Sequence, residues 1–207
     1  MQKYIKNRMI GGYDLNLLAV VSISTLVLVL ERYYPLNIDF PRATALIYYL
    51  LVPLAAGFLF FRDKPWDYGI RIGRWKWAIM LTAACLAAMA LILYGASKIP
   101  EFRSYYHKNA IEWSELLLST ALYMFAWEFL FRGYMLFGLE KSIGKNAIFV
   151  QAIPFVLLHL GKPFLETLFC IPGGFILGYV AYRTRSFLPC FIIHFGMYIM
   201  MTSFVNS

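Results

Sequence analysis

The stretch Ala126-Trp127-Glu128-Phe129-Leu130-Phe131-Arg132-Gly133 sets one acid and one base four residues apart inside an apolar run that extends from Leu116 to Phe137. An i, i+4 spacing puts both on one face of a helix, where a carboxylate and a guanidinium satisfy each other. A run of this length reads as a membrane helix. A charge at membrane depth costs at least ~2.5 kcal/mol, so it needs a partner, a water-filled cavity or a function to offset it.

The same texture holds outward in both directions. Of 207 residues, 61% are hydrophobic, 18% aromatic and 14% charged, and the mean hydropathy is +0.64. That composition excludes an ordinary soluble domain and reads as a polytopic membrane protein. Apolar runs recur at Leu15 to Leu30, Ala43 to Phe61, Trp77 to Ala96, Leu116 to Phe137, Ala147 to His159, Phe164 to Tyr182 and Phe187 to Phe204. They predict an all-α membrane bundle of about seven transmembrane helices, eight being possible. The first and fifth runs are short. No repeat, low-complexity tract or long polar linker interrupts residues 1–207, so the chain reads as one membrane domain.

The net charge of +8 raises nucleic acid as a partner, but the positions of the basic residues point to a lipid bilayer instead. With the N-terminus in the cytoplasm, the inside segments are Met1 to Tyr13, Arg62 to Lys76, Glu140 to Lys145 and Arg183 to Arg185. These hold twelve of the nineteen Lys and Arg; the opposite loops hold six, and Arg132 lies within a span. The positive-inside rule then gives a cytoplasmic N-terminus and seven crossings. A bacterial inner membrane is the expected location. The basic start resembles a signal peptide, yet no small-residue cleavage site follows Leu30, so the first run reads as an anchor. The longest inside loop, Arg62 to Lys76, mixes aromatic and basic residues, which suits a headgroup-level segment attracted to anionic lipid. Cys85, Cys170 and Cys190 fall in apolar runs without metal-ligand spacing and read as small buried hydrophobes.

Titratable groups at membrane depth all lie in the second half: Glu128, Arg132, His159 and His194, with Glu166 close to a boundary. Counting 1.5 Å per residue from the inside end puts Glu128, His159 and His194 at about 15, 20 and 10 Å, near enough to converge, and Glu166 at about 25 Å. Unsatisfied carboxylates and imidazoles are expensive in hydrocarbon, so these groups are expected to face one another. Gly161 and Pro163 break one helix and open the next, three residues before Glu166. That carboxylate either complements the new helix start or partners His159 across the turn. Further on, Gly174 and Gly178 read as a close helix-packing face.

Taken in order, Glu128-Phe129-Leu130-Phe131-Arg132, Phe155-Val156-Leu157-Leu158-His159 and His194-Phe195-Gly196-Met197-Tyr198 resemble the three motifs of the CAAX protease and bacteriocin-processing (CPBP, Abi) family. The likeness runs over residues 113–204. The resemblance implies an intramembrane endopeptidase that hydrolyses a peptide bond of a membrane-anchored protein or peptide. In it, a glutamate and the first histidine (His159 here) activate water, and the second histidine (His194) and an amide residue stabilise the oxyanion. Two positions depart from the pattern. Trp127 stands where the family has its first glutamate, and Tyr198 stands at the amide position. Three readings follow: Glu128 is itself the base, Glu166 supplies the missing carboxylate, or the chain is a non-catalytic immunity or scaffold protein. Phe155 and Tyr198 are the expected support of the substrate and oxyanion. The resemblance fixes no cofactor; zinc held by His159, His194 and Glu128 or Glu166 is an option.

Overall fold

Each of the seven apolar runs folds as helix in the computed structural model, which describes residues 9–36 and 42–207. The two-residue strands β1 (Met9–Ile10) and β2 (Tyr13–Asp14) form a small hairpin ahead of α1 (Leu15–Tyr33). Asp14 starts that helix by accepting from the backbone N–H groups of Asn16 and Leu17 at 3.0 and 3.1 Å, the usual N-cap chemistry. Helix α2 covers Ala43–Phe61 and includes two stretches of wider, π-type winding. Next come α3 (Trp75–Ala96) and the short α4 (Pro100–Tyr106). Helix α5 (Trp113–Glu128) runs through a π-type segment, Phe129–Met135, into α6 (Leu136–Ile143). The short α7 (Ala147–Val150) and α8 (Ala152–Leu157) precede α9 (Phe164–Thr184) and α10 (Leu188–Asn206).

Five of these, α1, α2, α3, α9 and α10, are long and apolar enough to cross a membrane. The rod from 113 to 143 is longer than any of them, and Glu128 and Arg132 interrupt its apolarity. The fifth run is indeed short: residues 147–157 reach only about 17 Å at 1.5 Å per residue. The protein is an all-α integral membrane helical bundle. Its outer surface is hydrocarbon, as lipid demands: α3 buries none of its residues, and Ile79 and Leu91 are 63% and 80% exposed.

The core sits on the rod. Residues 126–139 are buried throughout, packed against α1, α2, α8, α9 and α10. Between the third and fourth apolar runs the structure folds α4. Pro100 at the first helical position and Glu101 in the first turn are its start signals. Its Phe102 and Tyr106 pack against Met201 and Val205 of α10.

Three of the four segments expected on one side of the membrane meet at one end of the bundle. Lys141 pairs with Asp63, Arg185 Nη1 donates to Glu140 at 2.7 Å, and Arg71 Nε donates to the Arg185 carbonyl at 2.8 Å. Asn16 Nδ2, just past the end of the fourth, donates to the Gly138 carbonyl at 2.8 Å; the basic residues of Met1 to Arg8 lie outside the described residues. At the opposite end, the Phe164 N–H donates to Glu101 at 2.8 Å, and the Lys108 N–H donates to Asn206 at 2.9 Å.

Candidate active site

Glu128 ends α5 and Arg132 lies one turn on, within the π-type segment; both side chains are 0% exposed. Arg132 Nη1 donates to Glu128 Oε1 at 3.1 Å. From α10, His194 Nδ1 donates to the same oxygen at 2.6 Å. Such π-type turns inside α-helices concentrate at functional sites, because they shift one face without ending the rod. Here the shift lies between the two charged residues of the first motif.

The second motif works through its own helix. His159 Nδ1 donates to the Phe155 carbonyl, four residues back, at 2.7 Å. A carbonyl only accepts, so this bond fixes a proton on Nδ1, and in the neutral ring Nε2 keeps its lone pair. The Phe155 ring lies under the Arg132 guanidinium, with Cζ 3.9 Å from the ring centroid, a cation–π contact. The same ring is 4.5 Å from His159 and 5.9 Å from His194, centroid to centroid. The two imidazoles stand 6.2 Å apart with planes 27° from parallel. Phe155 thus touches Arg132 and both histidines.

Trp127, at the family's first-glutamate position, is buried in an aromatic stack. Its ring meets Tyr49, Tyr123, Phe131 and His159 at 5.8, 5.4, 5.2 and 6.1 Å. Polar pairing in the cluster is incomplete. Glu128 Oε2, Arg132 Nε and Nη2, and Trp127 Nε1 are buried with no hydrogen-bond partner among the described residues. Buried polar atoms are satisfied almost everywhere in proteins, so the three unpaired atoms of the Glu128–Arg132 pair call for water or a ligand.

Glu166 stands elsewhere. Both of its oxygens accept from the Tyr106 hydroxyl at 2.8 Å, and Lys162 Nζ donates to Oε1 at 2.7 Å. It also lies in the first turn of α9. The carboxylate pairing expected for His159 across the turn therefore does not form; His159 uses Phe155 instead. Tyr198 faces the same outer cluster, with its ring 6.1 Å from that of Tyr106, one turn along α10 from His194. The zinc option fits poorly. Among the described residues no group of three or more His, Cys, Asp or Glu side chains stands where it could hold a metal ion. The guanidinium already on Glu128 would also repel a dication.

Sequence reasoning missed Gln151. It is buried between α7 and α8, and its Nε2 donates to the carbonyls of Ile148 and Gly174 at 2.9 and 3.0 Å. As the one side-chain amide in its apolar run, it carried a signal. It ties the short helix pair to α9 at the two glycines. A Cβ at Gly178 would lie 2.6 Å from Gln151 Nε2 and one at Gly174 would lie 3.0 Å from the Ala152 Cβ. That close approach sets the height of Phe155 and His159. The three cysteines are free: Cys190 is buried, and Cys85 and Cys170 are half-buried.

Comparison with known proteins bears on this half of the chain. The family model described as type II CAAX prenyl endopeptidase Rce1-like matches residues 108–200, a stretch that contains Glu128, Arg132, Phe155, His159 and His194. No curated protein matches the chain significantly, and no solved structure does. The order of the motifs and the Rce1-like match over residues 108–200 are both consistent with the CAAX protease and bacteriocin-processing family.

Proposed function

We propose that the protein hydrolyses a peptide bond of a membrane-anchored protein or peptide, using water activated by imidazole with Glu128 acting through His194. The observation that carries this reading is that each imidazole is engaged only through Nδ1. That leaves Nε2 of both rings for a water or a substrate. A carboxylate behind Nδ1 fixes the tautomer and stabilises the imidazolium that forms when Nε2 takes a proton. This arrangement answers the loss of the first motif glutamate without asking Glu128, already held by Arg132, to act as a free base.

In the proposed reaction, His194 Nε2 takes a proton from water while the hydroxide attacks the peptide carbonyl. His159 Nε2 accepts the second hydrogen of that water and orients it. The unpartnered Nε and Nη2 of Arg132 lend positive charge to the tetrahedral oxyanion. Protonated His194 then gives its proton to the departing amine. The peptide C–N bond breaks, and the products are a carboxylic acid and an amine. We place this catalytic core at 113–204 within a membrane domain of residues 1–207, in a bacterial inner membrane with the N-terminus cytoplasmic.

A second reading is favoured by Trp127, whose indole packs on His159 where the family has a carboxylate: a non-catalytic immunity or scaffold protein of the same family. The unpartnered atoms of the Glu128–Arg132 pair weigh against it, because a purely structural lock would pair them. The test is cleavage in proteoliposomes of peptides anchored by a prenyl group, an acyl chain or a transmembrane segment, read by mass spectrometry. The hydrolase reading expects wild-type cleavage of at least one class and a loss of about 100-fold or more in His159→Ala and His194→Ala. Folded wild-type protein that cleaves none of them supports the non-catalytic reading.

A further inference from the structure

The basic end of the bundle holds more charge than it neutralises. Asp63 takes up Lys141, and Glu140 takes up Arg185. Arg71, Arg74 and Arg183 have no carboxylate partner among the described residues. All three nevertheless converge on the last turn of α9. Arg71 Nε donates to the Arg185 carbonyl at 2.8 Å, and Arg74 Nη1 donates to the Arg183 carbonyl at 3.3 Å. The Arg74 backbone N–H donates to the Thr184 carbonyl at 2.7 Å. Gly73 permits this approach: its φ is +65°, and a Cβ there would lie 2.2 Å from the Thr184 oxygen.

Each of the first two guanidinium groups is thus tethered by one corner, with its remaining N–H groups unspent. Arg183 lies with Cζ 4.2 Å over the Trp77 ring, and its Nε is buried without a partner. Three like charges gathered on one turn repel one another, and a fixed guanidinium fork matches phosphate geometry. The adjoining surface is apolar. Trp75, Trp77, Ile79 and Met80 of α3 are exposed, on a helix with no fully buried residue. Indole rings at this level suit the headgroup boundary, and the apolar residues beyond them suit acyl chains.

We propose that Arg71, Arg74 and Arg183 bind the phosphate of an anionic phospholipid whose chains lie along the first turns of α3. The apolar flank selects a lipid over a free anion, and the uncompensated charge selects an anionic headgroup over a zwitterionic one. The site does not depend on whether the protein is a hydrolase.

The test uses the full chain in detergent micelles titrated with phosphatidylglycerol, phosphatidylcholine or inorganic phosphate. Bound lipid is read by native mass spectrometry and stabilisation by the thermal midpoint. Phosphatidylglycerol is expected to bind and raise the midpoint. Arg71→Gln with Arg74→Gln is expected to weaken binding about tenfold or more. The opposite-end pair Lys98→Gln and Arg103→Gln should bind as wild type does. Arg183→Gln leaves both backbone tethers in place, so it reads the same loss if the double variant misfolds. Equal binding of phosphatidylcholine overturns the proposal, as does wild-type lipid affinity in the folded arginine variants. An equal midpoint shift with inorganic phosphate makes this a free-anion site and overturns the lipid assignment.

Discussion

Glu128 Oε1 lies 2.6 Å from His194 Nδ1 and 3.1 Å from Arg132 Nη1, so one carboxylate oxygen joins the rod to α10 and holds a buried guanidinium at the same time. The two bonds have separable consequences. Glu128→Gln removes the counter-ion of Arg132 and leaves that charge buried, which should cost about 3–5 kcal/mol. The double change Glu128→Gln with Arg132→Met removes the stranded charge. It should recover most of that stability while cleavage stays absent. Unfolding in detergent, alongside proteoliposome turnover, measures both.

Trp127 fills the space between Tyr49, Tyr123, Phe131 and His159. Trp127→Ala should therefore cost about 3–5 kcal/mol. Trp127→Phe keeps the apolar stack and leaves no indole N–H to satisfy, so it should fold and retain turnover. A selective loss of turnover in folded Trp127→Phe would assign the indole a direct part in the reaction.

The carboxylate of Glu166 is spent on Tyr106 and Lys162. Glu166→Gln is expected to leave turnover within about twofold and to lower stability by about 1 kcal/mol, the scale of one hydrogen bond and a partly exposed ion pair. A loss of two orders of magnitude in a folded Glu166→Gln variant would return the base role to this residue.

Gly178 meets the Gln151 amide and the Ile148 side chain with no room for a Cβ. Gly178→Val should push α7 and α8 away from α9, cost about 1–3 kcal/mol and reduce turnover through displacement of His159. Thermal unfolding and single-turnover cleavage separate the two effects. Unchanged stability would show that the helix pair is not seated by this contact.

Much of this was legible in the sequence because it rests on short-range patterns. The seven apolar runs gave the seven helical segments, and the i, i+4 spacing of Glu128 with Arg132 gave a contact that the helix makes within itself. What escaped were pairings across long separations. Nothing local says that Tyr106 reaches Glu166, sixty residues away, so the carboxylate was left free to partner His159. The helix Pro100–Tyr106 was missed because its length and polarity fall below a membrane pattern, although Pro100 and Glu101 mark its start. Gln151 was passed over because its role depends on a carbonyl of another helix, at Gly174.

The most direct test of the account is the tautomeric state of the two site histidines, read from ¹⁵N chemical shifts of histidine-labelled protein in bicelles. The chain has three histidines, so His107→Gln leaves the two resonance sets of His159 and His194, and His194→Gln assigns them. The account predicts the Nδ1–H tautomer for His159 and a proton on Nδ1 of His194, with the Nε2 resonances responsive to added substrate peptide. A proton on Nε2 of His159, with its lone pair turned to Nδ1, would contradict the Phe155 bond and with it the proposed route for activating water.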